Sequence, residues 1–306
     1  MTLLLNTRDT DRIDAFRATF ARDLPDVTLV TPEEAFDPAQ VRYVFTWLPL
    51  PDWSMFPALE IVFSVSAGVD QFATLPPDLA LIKMSDPNNT RMVVEYVLSG
   101  CLACLRDLPS YAWAQRHQDW KAASVRCAAD THVAVLGLGE IGCLAAEALR
   151  DIGFQVSGWS RSQKHLPGVT CVTGNEARDH LLLQADIVVC LLPLTPETRG
   201  ILNRETFARM KAGASLVHVG RGAHCDFGDL AEALGRGHLR NAVIDVFDTE
   251  PLPEGDAVWA LPRTFLTPHI AGRTDAQTGA QNVATNIARH KGGLDLLWQV
   301  DRRKGY

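Results

Sequence analysis

Val133-Ala-Val-Leu-Gly137-Leu-Gly139-Glu-Ile-Gly142 decides the fold. Four apolar residues lead into three glycines spaced G-x-G-x-x-G, and the glycines open a helix-forming stretch. Ile141, Leu144, Ala145, Ala148 and Leu149 then recur at one face of a 3.6-residue period. Taken alone the glycine pattern is weak. Between a strand and an amphipathic helix it reads as the phosphate-binding turn of a dinucleotide fold. Gly137 permits the tight turn, Gly139 a close backbone approach to a pyrophosphate, and Gly142 close helix packing. Leu138, Glu140 and Ile141 place their N–H groups at the helix N-terminus, which favours anions. The plainer reading is a structural glycine turn.

Downstream, apolar runs alternate with helical stretches. Strands are expected at Phe154–Trp159, Asp186–Leu192, Ser215–Val219, Ala242–Val246 and Thr264–Thr267. A helix is expected over Asn203–Met210, capped by Asn203. Upstream, Leu3–Asn6, Val27–Val30, Tyr43–Trp47, Ile61–Val65 and Leu81–Met84 read as strands and Asp9–Arg22 as a helix. The expected fold is α/β, with two doubly wound parallel-sheet domains: a Rossmann cofactor domain and a flavodoxin-like substrate domain. A T-x-x-Q box at Thr274–Gln277 predicts a final helix that returns to the first domain. The predicted boundaries are 1–97 with 274–306 for the substrate domain and 98–273 for the cofactor domain.

The turn after the second Rossmann strand bears on cofactor choice. An NAD site puts a carboxylate there to hold the ribose. The chain instead reads Trp159-Ser160-Arg161-Ser162-Gln-Lys164. Arginine with two serines suits a 2′-phosphate, so NADP(H) is expected as the preferred cofactor, with NAD(H) possible. A solvated surface turn is the competing reading.

Three later strand ends carry chemistry-bearing residues: Val219-Gly-Arg221-Gly222, Asp245–Pro251 and Thr267-Pro-His269. Reduction of a 2-oxo acid needs a cation for the carboxylate and carbonyl, an acid to protonate the carbonyl oxygen, and an anion to keep that acid charged. Arg221, His269 and Glu250 supply those types. Each also has a duller reading: a helix-capping arginine, a turn histidine, a surface glutamate. His132, His218 and His224 lack metal-ligand spacing, and hydride transfer needs no metal.

Composition narrows the class. Across 306 residues the formal charge is −7, with 47% hydrophobic and 21% charged residues. That balance suits a soluble globular protein and disfavours nucleic acid or an anionic membrane as partner. Met1–Asn6 has no basic leader and no apolar run approaches membrane length, so a cytoplasmic protein is expected. Seven cysteines without framework spacing read as reduced thiols. Cys101 and Cys104 form a C-x-x-C, but inside an apolar helical stretch they read as core. The polar segment Asp107–Asp130 carries Trp113 and Trp120. It is expected either as the arm of a homodimer or as a long surface loop.

Taken together, the chain resembles the D-isomer-specific 2-hydroxyacid dehydrogenase family over essentially its whole length. The pieces that carry the resemblance are Ser66-Ala-Gly68-Val-Asp70, Gly137–Gly142, Leu191-Leu-Pro193-Leu-Thr-Pro-Glu-Thr198, Gly220-Arg-Gly222, Asp245–Pro251 and Pro268-His269. The turn Trp159–Ser162 and the C-terminal Gln299–Tyr306 look most like its glyoxylate- and hydroxypyruvate-reducing branch. The resemblance implies Arg221 on the substrate carboxylate and carbonyl, and His269 paired with Glu250 as proton donor. It implies Asp245 on the nicotinamide carboxamide, with Leu192, Pro193, Thr198 and Val219 lining the cofactor. It further implies Ala67, Gly68 and Val69 on the substrate carboxylate, from across an interdomain cleft. Trp47 is either a wall of the substrate pocket or a core aromatic. Gly220 stands where many relatives carry a bulkier residue. The expected activity is NADPH-dependent reduction of glyoxylate to glycolate and hydroxypyruvate to D-glycerate. The rivals are a dinucleotide-sensing binding protein of the same fold and a reductase of bulkier 2-oxo acids such as phenylpyruvate.

Overall fold

The computed structural model describes residues 1–66 and 68–301. The chain divides into two compact units, 1–89 with 273–306 and 90–272.

The first unit holds β1 (Thr2–Asn6), α1 (Thr10–Asp23), β2 (Thr28–Val30), β3 (Val41–Thr46), β4 (Ile61–Ser64) and β5 (Ala80–Ile82). All five strands are parallel in the order β2-β1-β3-β4-β5, the flavodoxin-like arrangement. Alternate strand residues serve opposite faces. Leu3, Phe45 and Phe63 pack with Phe16 of α1 and with Val283 and Ile287, while Leu4, Val44, Val62 and Leu81 pack with Phe72 on the other side. Val283 and Ile287 belong to the C-terminal helix Ala276–Lys291, which returns to this sheet as expected. Its cap differs from the predicted box. Asp275 is the N-cap, accepting from the Thr278 N–H at 2.8 Å. Thr274 is buried instead, because its carbonyl accepts from the buried Arg12 at 3.2 Å.

α2 (Pro87–Leu105) spans the boundary, and α3 (Leu108–Arg116) follows. Val97, Cys101 and Cys104 of α2 are fully buried in the core of the second unit. That packing explains why the second unit begins at 90, nearer the helix start than the predicted 98. Burial pushes the Cys104 thiol up to about 12, as suits a core residue.

The second unit runs β6 (His132–Leu136), α4 (Glu140–Ile152), β7 (Gln155–Trp159), β8 (Thr170–Val172), α5 (Asn175–Gln184), β9 (Ile187–Cys190), α6 (Arg204–Arg209), β10 (Ala214–His218), α7 (Phe227–Gly235), β11 (Leu239–Ile244) and β12 (Thr264–Leu266). The seven strands are parallel in the order β12-β11-β10-β9-β6-β7-β8. Order reverses between β6 and β9, so ligands gather at the carboxyl ends there. Val133 and Val135 face one core, and Ala134 and Leu136 the other. Burying each large side chain of these cores contributes about 1.5–3 kcal/mol. β8, an edge strand of three residues, escaped the sequence reading. Among the described residues no helix is long and apolar enough to cross a membrane.

Candidate active site

At the end of β6 the backbone turns at Gly137 with φ of 105°, in the region that favours glycine. A Cβ there would lie 2.7 Å from the Leu191 carbonyl oxygen. Gly142 presses α4 against the turn: its Cβ would stand 1.8 Å from the Gly137 oxygen. Around Gly139, by contrast, a Cβ would meet nothing within 4 Å. No side chain caps the N-terminus of α4. Open space before an uncapped helix start, with Leu138, Glu140 and Ile141 around it, fits a dinucleotide pyrophosphate.

β7 ends at Trp159, and Ser160 follows, its hydroxyl donating to the Ser162 carbonyl at 2.8 Å. Ser160 is buried, whereas Arg161 and Ser162 are exposed. No carboxylate occupies this turn. Trp159 is held by its indole N–H on the Gly174 carbonyl at 2.9 Å and by Arg178 over its ring. Leu192 and Pro193 follow β9, and the Thr198 hydroxyl donates to the Pro193 carbonyl at 2.7 Å.

The structure brings Glu250 and His269 together. His269 Nδ1 and Glu250 Oε2 lie 2.6 Å apart. A carboxylate oxygen accepts, so Nδ1 carries the proton of this bond. Glu250 Oε1 accepts from the Phe247 N–H at 2.9 Å. Burial raises the Glu250 carboxyl, but the His269 and Phe247 hydrogen bonds and the charges of His269 and Arg221 hold it below its ordinary value. Arg221 therefore acts on the same carboxylate across space. Its own guanidinium donates to the Gly220 carbonyl at 2.9 Å.

His269 sits at φ of 54°, a left-handed conformation that costs a non-glycine residue about 1–3 kcal/mol. Asp245 holds it there. The His269 N–H donates to the Asp245 carbonyl at 2.9 Å. The carboxylate accepts from the Ile270 and Ala271 N–H groups, each at 2.8 Å, and from the Thr267 hydroxyl at 2.6 Å. Thr267 also meets the Tyr96 hydroxyl of α2 at 2.5 Å, and burial pushes that phenol up to about 12. Asp245 is 0% exposed. The resemblance assigned it to the nicotinamide carboxamide, yet in this conformation its oxygens face the segment that carries His269. Neither Thr267 nor Tyr96 was singled out from sequence, although Thr267 stood inside the quoted Thr267-Pro-His269 signal.

His218 and His224 flank Arg221 and are both fully buried. Burial, with His224 beside it, pushes the His218 imidazole down to about 3. Val219 is half-buried between β10 and Arg221. In the first unit, Trp47 follows β3 and is 45% exposed, which rules out a core aromatic. Gly68 accepts at its carbonyl from the Ser66 hydroxyl at 2.6 Å, and Val69 is buried. Ala67 and residues 302–306 lie outside the described residues.

Parallel strands, a glycine turn at the reversal of strand order and a His–Glu pair at neighbouring strand ends define a nicotinamide-dependent oxidoreductase. Residues 98–271 match the family described as D-isomer specific 2-hydroxyacid dehydrogenase, NAD binding domain. The chain belongs to that family. It is 37% identical to a glyoxylate/hydroxypyruvate reductase A of Serratia proteamaculans, over 81% of this chain and 82% of that protein. A D-isomer-specific 2-hydroxyacid dehydrogenase of Xanthobacter autotrophicus, solved with NADPH and MES, superposes with a TM-score of 0.88 at 38% identity, covering 100% of this chain and 99% of the other. An NADPH-dependent glyoxylate/hydroxypyruvate reductase of Sinorhizobium meliloti, solved with NADP and sulfate, gives 0.88 at 33% identity, with coverage of 100% and 99%.

Proposed function

We propose that the protein reduces small 2-oxo acids, glyoxylate and hydroxypyruvate, with NADPH. The observation that carries this reading is the 2.6 Å His269–Glu250 pair, close enough to Arg221 for its charge to act on Glu250. When bound, the reduced nicotinamide supplies the hydride. The Arg221 guanidinium holds the substrate carboxylate and polarises its carbonyl. His269 donates the Nε2 proton to the carbonyl oxygen, and Glu250 stabilises the imidazolium before that transfer. The product is the 2-hydroxy acid, and neutral His269 takes a proton from solvent.

Arg161, exposed beside Ser160 and Ser162, supports a preference for NADP(H), as do the NADPH and NADP bound to the Xanthobacter and Sinorhizobium relatives. Steady-state assays of glyoxylate, hydroxypyruvate, pyruvate and phenylpyruvate, each with NADPH and NADH, test both parts. The first two acids with NADPH should lead. A phenylpyruvate preference overturns the substrate assignment, and equal NADPH and NADH efficiency overturns the cofactor assignment. Arg161→Ala should weaken NADPH about tenfold, the low end of a charged hydrogen bond's 1.5–3 kcal/mol because the site is exposed, and spare NADH.

The same reading makes the protein a cytoplasmic homodimer. A groove of about 640 Å³, lined by Tyr96, Trp113, Trp259 and Leu266, opens beside α2 and α3. Trp259 is 55% and Trp120 100% exposed, a poor arrangement for a lone chain in water. Light scattering at micromolar concentration should give twice the chain mass; a monomer removes the assignment.

A further inference from the structure

Two histidines without a part in the chemistry above stand three residues before and three after Arg221. His218, the last residue of β10, approaches the Arg221 carbonyl with Nε2 at 3.0 Å. His224 Nδ1 accepts from the Arg221 backbone N–H at 2.9 Å. The far nitrogen of the same ring, Nε2, lies 3.2 Å from the Pro193 carbonyl. The two rings meet edge to face, their centroids 5.9 Å apart.

These partners dictate the protonation state. A nitrogen that accepts from a backbone N–H carries no proton, and one that meets a carbonyl must carry one. His224 is therefore the neutral Nε2–H tautomer. His218 donates through Nε2, and its buried Nδ1 has no hydrogen-bond partner among the described residues. A proton at that nitrogen would leave a bare charged donor in the dry interior, so this ring is neutral too. Gly220 makes the arrangement possible. A Cβ there would lie 2.8 Å from His224 Nδ1 and 3.3 Å from the Leu192 carbonyl oxygen. The small residue before Arg221 thus has a local cause.

We propose that His218 and His224 are positioning residues for Arg221, and that His224 is a strut between the arginine backbone and the loop Leu191–Thr198. The Pro193 carbonyl is the shared point, since it also accepts from Thr198. The inference rests on the functional reading above, which puts the 2-oxo acid on Arg221 and the cofactor along that loop. Through the strut, occupation of one site stiffens the other, and the coupling is reciprocal.

Two conservative variants split the strut. Asparagine places a polar atom where Nδ1 stands, and glutamine places one where Nε2 stands. His224→Asn should keep the arginine anchor and lose Pro193: KM for glyoxylate stays within about threefold, while the NADPH dissociation constant rises at least fivefold. His224→Gln should do the reverse, raising KM at least tenfold with NADPH affinity nearly unchanged. Equal changes of both constants in both variants, or no change in either, overturn the proposal. A merely structural role would move both together with thermal stability.

NADPH affinity is read by fluorescence titration, so it does not depend on turnover. Nitrogen-15 spectra of the histidine-labelled wild-type protein at pH 7 add a readout that needs neither substrate nor variant. Both rings should appear as neutral Nε2–H tautomers; an imidazolium or an Nδ1–H form of His224 overturns the strut. If glyoxylate is not reduced but these spectra hold, only the functional reading falls.

Discussion

Asp245 and Glu250 lie five residues apart in one loop, and their environments are opposite. Asp245 is fully buried, and its carboxylate is filled by one hydroxyl and two backbone N–H groups. Glu250 keeps 31% of its side chain exposed and faces an imidazole. Chemically alike, they divide the labour. The buried one fixes the backbone of His269 in a costly conformation, and the open one hydrogen-bonds its ring. Residue type does not assign a role; partners and access to solvent do.

The largest effect should come from the ring on which both carboxylates act. His269→Ala should lower kcat by about 10²–10⁴, the range for a lost general acid, and leave the NADPH dissociation constant unchanged. Near-full turnover would end the assignment and make both carboxylates structural.

Next in size is the brace. Asp245→Asn turns one accepting oxygen into an NH₂ group that faces N–H or O–H donors. An unsatisfied buried donor costs about 1–3 kcal/mol. Calorimetry should show Tm lower by roughly 2–5 °C for a chain of this size, with kcat reduced as His269 loses its support. Unchanged Tm with lost turnover would instead give Asp245 a direct part in the reaction.

The smallest effect on stability belongs to Glu250. Its carboxyl titrates below its ordinary 4.5 in the folded chain. Its stabilising contribution is therefore complete above that value and disappears as pH falls through the lower folded one. Glu250→Gln should make Tm differ from wild type at pH 7, and the difference should close as pH falls below the lowered folded value. The variant's kcat/KM for reduction should fall off at lower pH on the basic side, because the imidazolium has lost its anion. Superimposable pH–rate profiles would break the pairing.

Eleven of the twelve strands among the described residues were legible because they read as short apolar runs, clearest in the central strands, which are apolar on both faces. β8 was not, since Thr170–Val172 holds a single large aliphatic residue, Val172, and makes no apolar run. The C-terminal cap moved from Thr274 to Asp275 because the Thr274 carbonyl is engaged by Arg12, 262 residues away in sequence. Local capping rules do not register so distant a partner.

The residues of the glycine turn, the carboxylate-free turn at Arg161, and the arginine, glutamate and histidine of the site were all readable as types in a spacing. Their chemistry is local to each side chain, and a strand-end position follows from periodicity. Glu250 and His269, 19 residues apart, were paired in sequence only through the family resemblance; tertiary structure set them 2.6 Å apart and gave Asp245 a buried brace. It also turned His218 and His224, unremarkable in sequence, into clamps on Arg221. Hydrogen-bond partners and burial depend on which strand ends become neighbours, and strand order in a parallel sheet is set by crossover packing rather than by any one segment.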